Sequence, residues 1–179
     1  MKTTQFTRLP NMTLTEVLDD WPLWGLSKKP IEKNQVTVLE GGLTNTCYQL
    51  SLESGEYIIR ISAANTAALG IDRNAEKAIH QLVSSLNYTS AIRYCDDEHR
   101  YWIRDYIEGE VLADNVAALS HNTLSYMVEQ LKALHQIPVT IELPVINISE
   151  KAEAYWQMLE ARQPDNEILK MKPLMQVAM

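Results

Sequence analysis

Two adjacent glycines, Gly41 and Gly42, sit in the segment Glu40-Gly41-Gly42-Leu43-Thr44-Asn45, between stretches whose apolar residues alternate. Without a Cβ, such a pair lets backbone N–H groups close on an anion, and Thr44 and Asn45 add short polar side chains. A Gly-Gly pair also serves simply as a hairpin turn, and the segment matches neither a Walker loop nor a GxGxxG fingerprint. Arg60 follows in an otherwise apolar stretch, on one face with Ile58 and opposite Tyr57, Ile59 and Ile61. Its forked donors suit phosphate or carboxylate oxygens, although on an edge strand the same residue would face solvent. Glu76 stands beside a helical apolar stripe, one position after Ala75 and three before Ile79. A desolvated carboxylate there needs a partner. An ion pair with Arg60 would aim the guanidinium at a ligand. Lys77, Arg73, His80 or solvent would satisfy Glu76 locally.

Other chemistry has little support. His80, His99, His121 and His135 are scattered without HExxH or other metal spacing, and His135 falls on an apolar helix side as a packing residue. No Ser, His and acid set stands out, and there is no GxSxG elbow. Asp96-Asp97-Glu98 reads as a solvated turn. Cys47 and Cys95 belong to no CxxC pair and read as small buried thiols of a reducing compartment. A net charge of -7 argues against a general nucleic-acid or anionic-membrane partner. The N-terminus lacks the apolar core of a signal peptide, and no apolar stretch approaches the ~20 residues that span a bilayer. The expectation is a soluble cytoplasmic protein.

The elements that must position these residues follow from periodicity. Leu14, Val17, Leu18 and Trp21 are spaced as a short helix, which Pro22 should end. Val36 and Val38, then Tyr48, Leu50 and Leu52, then Tyr57, Ile59 and Ile61 alternate as three strands of an antiparallel meander. Asp72 should cap a helix with Ala75, Ile79, Leu82, Val83 and Leu86 on its apolar face. Two further strands are expected near 91–94 and 101–107. Beyond Gly109 the pattern is helical, with Ser120 and Ser149 as caps of two helices.

Taken in order, Gly41-Gly42-Leu43-Thr44-Asn45, Tyr57-Ile58-Ile59-Arg60-Ile61, Ile71-Asp72-Arg73 with Glu76, Asp105-Tyr106-Ile107-Glu108-Gly109 and Leu131-Lys132-Ala133-Leu134-His135 carry a resemblance. The chain resembles the choline/ethanolamine kinase and aminoglycoside phosphotransferase superfamily, especially its bacterial choline kinase-like and thiamine kinase-like members. The resemblance implies an α+β fold. Residues 1–109 would form a protein-kinase-like N-terminal lobe, an antiparallel sheet plus one helix preceded by the N-terminal helix. Residues 110–179 would be the first helices of an incomplete helical C-terminal lobe.

The same resemblance implies ATP and Mg as cofactors. Gly41, Gly42, Leu43, Thr44 and Asn45 would cover the phosphates. Arg60 would stand where protein kinases have a lysine, contacting the α- and β-phosphates while Glu76 holds it. Ile58 would pack against adenine, and Asp105, Tyr106 and Ile107 would form the hinge along its edge. Arg73 matches a family segment without a settled role.

The family's His-x-Asp catalytic loop is absent after His135. The late acids, Asp165 and Glu167 included, are not preceded by that loop, and they are not assigned to its Asp-x-Glu or Asp-Trp-Glu magnesium motif. No catalytic residue and no metal ligand is therefore assigned, and the magnesium ligands are expected only in a missing C-terminal part. Most of the pocket for a small cationic alcohol would lie there too. The expected activity is that of an ATP-dependent small-molecule kinase acting on an alcohol group, thiamine or choline first, cut short of its catalytic motifs. The alternatives are a non-catalytic nucleotide-binding or interaction module, and a degenerate product without function.

Overall fold

A computed structural model describes residues 12–40, 42, 44–64, 70–109, 120–139, 141–145, 147–161 and 170. The chain divides into two compact units, Met1–Glu142 and Leu143–Met179. In the first, β2 (Asn45–Leu52) and β3 (Gly55–Ser62) run antiparallel, pairing Leu50 with Tyr57 and Cys47 with Arg60. β1 (Val36–Leu39) adds to β2, while β5 (Tyr101–Asp105) adds to β3 and β4 (Ile92–Cys95) closes the far edge. The order is β1-β2-β3-β5-β4, with every neighbour antiparallel.

Period two makes the faces of this sheet unlike. One carries Leu50, Tyr57, Ile59, Ile61, Tyr101 and Ile103, buried together with Val17, Leu18 and Trp24 from the N-terminal helices. That is the core, and each fully buried side chain of this size stabilises it by ~1.5–3 kcal/mol. The helices are α1 (Leu14–Asp19), opened by a Thr13–Glu16 capping box, and α2 (Trp21–Trp24). The expectation for Pro22 is corrected: it sits in the first turn of α2, where no intrahelical N–H is lost. The Tyr101 hydroxyl donates to Asp20 Oδ2 at 2.9 Å and accepts from Trp24 Nε1 at 3.0 Å, fastening both helices to the sheet.

The opposite face carries Cys47, Arg60, Trp102 and Cys95 in one row across four strands, with Ile58 and Arg104 in the next. α3 (Arg73–Ser85) meets this face, its first turn capped by Asp72, which accepts from the N–H groups of Asn74 and Ala75. No α3 residue is fully buried, and Ile79 is 41% exposed, so its apolar side borders an open cleft rather than a sealed core.

Several local expectations are revised. The β5 strand ends at Asp105, short of Ile107. Asp96 is buried rather than solvated, because it accepts the Tyr101 N–H and pairs with Arg100. Cys47 and Cys95 are free and only half-buried. α4 (His121–His135) is capped by Ser120 as expected, but Leu124, Met127, Val128 and Leu131 are exposed on it and so is His135. In the second unit, Asn147 accepts from the N–H groups of Ser149 and Glu150 and so caps α5 (Ile148–Ala161) in place of Ser149. Among the described residues no helix is long and apolar enough to cross a membrane.

Candidate functional site

Arg60, at the centre of the sheet, donates through Nη2 to Glu76 Oε1 at 2.5 Å. Arg73, three residues before Glu76 in the first turn of α3, donates through Nη1 to the other carboxylate oxygen, Oε2. Its Nη2 reaches Asn45 Oδ1 at 3.1 Å. Glu76 therefore has both a strand partner and a local one. The guanidinium side chains of Arg60 and Arg73 are 14% and 12% exposed, so water screens them weakly. Burial pushes the Glu76 carboxyl up, but hydrogen bonds from Arg73 and Arg60, with the charges of both, outweigh it and hold the group below its ordinary value. Glu76 is thus ionised near neutrality. Two cations share one anion, leaving a net positive charge on this face with N–H groups of Arg60 beyond its bond to Glu76.

The glycine turn borders the same cluster. A Cβ on Gly42 would lie 2.2 Å from the backbone oxygen of Asn45, so only glycine fits this bend. The Thr44 oxygen accepts from the Ala63 N–H at 3.2 Å, and Asn45 Nδ2 donates to Thr44 Oγ1 at 3.3 Å. Gly42, Thr44, Asn45, Ser62 and Ala63 line a small cleft of about 210 Å³ here. Gly41 and Leu43 lie outside the described residues. The structure thus brings Asn45, Arg60 and Glu76 together and sets Gly42 and Thr44 beside them.

The expected hinge sits at the far end of β5. There the Tyr106 N–H is already committed to the Glu56 oxygen at 3.0 Å. The Asp105 carbonyl accepts from Ser90 Oγ, and its carboxylate from Arg93 Nε, both at 2.7 Å. Ile107 is 59% exposed, whereas Ile58 is 5% exposed.

A larger cleft of about 470 Å³ opens between α3 and the sheet, lined by Arg60, Glu76, His80, Val83, Trp102 and Arg104 among others. The Arg60 guanidinium carbon lies 4.4 Å from the centre of the Trp102 ring. The His80 ring packs 5.1 Å from that ring, with Nε2 2.8 Å from the Ser90 oxygen. Arg104 donates to Ser90 Oγ at 3.3 Å. Trp102, Arg104 and His80 were not among the sequence candidates. Alternation with buried Tyr101 and Ile103 marks the face of Trp102 and Arg104, but only strand register sets Trp102 opposite Arg60. Among the described residues no group of three or more His, Cys, Asp or Glu could hold a metal ion. Asp165 and Glu167 lie outside them.

A family model described as the phosphotransferase enzyme family matches residues 35–174. Among solved structures, the chain is similar to an ethanolamine kinase of Plasmodium vivax, with a TM-score of 0.56 and 14% identity, over 91% of this chain and 53% of that one. It is likewise similar to choline kinase LicA from Streptococcus pneumoniae, with a TM-score of 0.56 and 18% identity, over 93% of this chain and 59% of that one. The chain therefore spans less than two thirds of either protein. At such identities the likeness is one of fold, and the fold is that of a kinase-like N-terminal lobe with adjoining helices. No curated protein matches the chain.

Proposed function

Because this chain belongs to the phosphotransferase enzyme family, we propose that it is the nucleotide-holding part of an ATP-dependent small-molecule kinase. The observation that carries this reading is the cluster Asn45–Arg73–Glu76–Arg60, a net positive, half-buried group beside a turn that only glycine can make. Backbone N–H groups of residues 41–45 would cradle phosphate oxygens, and Arg60 would bind them in fixed orientation. A preorganised guanidinium in a poorly screened site stabilises such charge without reorganising as it develops. The Tyr106 N–H being committed, the exposed Ile107 is the hinge residue whose backbone a base could reach. Ile58 would touch the base only at its rim.

The sequence has no His-x-Asp loop, and among the described residues no group of three or more His, Cys, Asp or Glu could hold a metal ion. We therefore assign the general base and the metal ligands to none of the described residues. The acceptor would be a small cationic alcohol, choline or thiamine first, and the compartment the cytoplasm. The lack of a His-x-Asp loop favours one second reading, a nucleotide-binding module without catalysis.

Isothermal titration with ATP, ADP and adenosine tests the first step. The expected result is binding that strengthens with phosphates. Failure of ATP and ADP to bind up to millimolar concentration would overturn both readings. Measurable ATP-dependent phosphorylation of choline by the 179-residue chain would overturn the second reading.

A further inference from the structure

Arg73 exceeds what Glu76 needs in order to hold Arg60. A second guanidinium on one carboxylate divides the attraction of Glu76 between two cations, and it sets two like charges close together. Arg73 also spans two elements that are otherwise separate in the chain, the end of the glycine turn at Asn45 and the first turn of α3 at Glu76. It is 12% exposed, and its Nε–H is buried without an acceptor among the described residues. Its Nη1 and Nη2 each make one bond within the protein, to Glu76 and to Asn45, and the two together fix the plane of the guanidinium. A side chain held this way ties the end of the turn to the first turn of α3.

Resting on the nucleotide-site reading above, we infer that Arg73 is a positioning residue that couples the glycine turn to the Arg60–Glu76 pair through Asn45. Asn45 Oδ1 and Glu76 Oε2 are held by one planar guanidinium, so a shift of the turn moves the carboxylate that orients Arg60. A phosphate seated under the turn therefore also sets the Arg60 fork, and the two contacts form or fail together. The surplus positive charge of Arg73 leaves the cluster attractive to the same anion.

The test has a ligand-free arm and a nucleotide arm. Without ligand, Arg73→Met should raise the titration midpoint of the Glu76 carboxyl, followed by carbon-detected nuclear magnetic resonance, and speed hydrogen exchange at the amides of residues 44–47. Wild-type values for both would overturn the coupling. With ADP, Arg73→Met and Asn45→Ala should each weaken binding about tenfold, the worth of one hydrogen bond to a charged group. Adenosine affinity should stay unchanged, and the double variant should be no weaker than the weaker single. Losses that multiply would overturn the coupling, because the residues would then act independently. Arg73→Lys keeps the charge but not the planar fork, and full rescue by it would also overturn the proposal. If Arg73→Met does not fold, Arg73→Lys and Asn45→Ala run the same cycle. Should wild type bind no ADP, the nucleotide reading falls and the ligand-free arm still decides the coupling.

Discussion

Trp102 stands directly across the β3–β5 ladder from Arg60, and the Arg60 guanidinium lies over its indole ring while donating to Glu76. The cation is thereby held on two sides, by a ring face and by a carboxylate. Arg60→Ala should weaken nucleotide binding by roughly 1.5–3 kcal/mol, the range for a hydrogen bond to a charged group. Arg60→Lys should weaken it less, since charge survives while the planar fork is lost. Trp102→Leu should cost a smaller amount, about 1 kcal/mol, by removing the cation–π contact. Titration calorimetry with ADP gives all three, and equal affinity in Arg60→Ala would refute the role of Arg60.

Glu76 makes the site acid-sensitive in a stated direction. Its folded pKa lies below the ordinary value of about 4.5. Its contribution to stability is therefore complete above that value and is lost as pH falls through the lowered one. Urea unfolding of wild type and Glu76→Gln should show their stability difference shrinking through that acid window and constant above it. A difference that stays flat down through the window would show that Glu76 is not held by the two arginines.

Gly42→Ala places a methyl group within 2.2 Å of the Asn45 oxygen, a contact that the backbone of the turn must relieve. Because the turn lies at the sheet's end and away from the core, the expected outcome is weakened binding of ADP with a melting temperature near wild type. Unchanged ADP affinity would remove the turn from the site.

Tyr101→Phe tests the far face. It removes the acceptor of the Trp24 indole N–H and the donor to Asp20, leaving a buried N–H without a partner. A loss of about 1–3 kcal/mol in unfolding free energy is expected. Burial, opposed by the Trp24 bond and aided by Asp20, raises the Tyr101 pKa, so the hydroxyl should stay protonated into alkaline solution. Ultraviolet titration of the phenol checks this, and ionisation of every tyrosine at its ordinary pH would contradict the buried network.

Much of the scaffold was legible in the chain because local rules set it. Period two marked β2 and β3 and set Arg60 with Ile58 against the buried Tyr57, Ile59 and Ile61. Short side-chain acceptors marked the starts of α3 at Asp72 and α4 at Ser120. Those same rules misjudged places where a distant partner decides. Asp96 looks like a solvated turn residue until Arg100 and the Tyr101 amide close on it. Pro22 looks like a helix end until α2 begins around it.

The sequence by itself determined the residue types at the site and the face on which Arg60 points, because alternation and capping act over a few neighbouring positions. Only the tertiary structure decided who meets whom. Strand register, a long-range choice, set Trp102 opposite Arg60, and the docking of α3 brought Arg73 between Asn45 and Glu76. No local pattern encodes those distances, since each depends on every strand and helix packing at once.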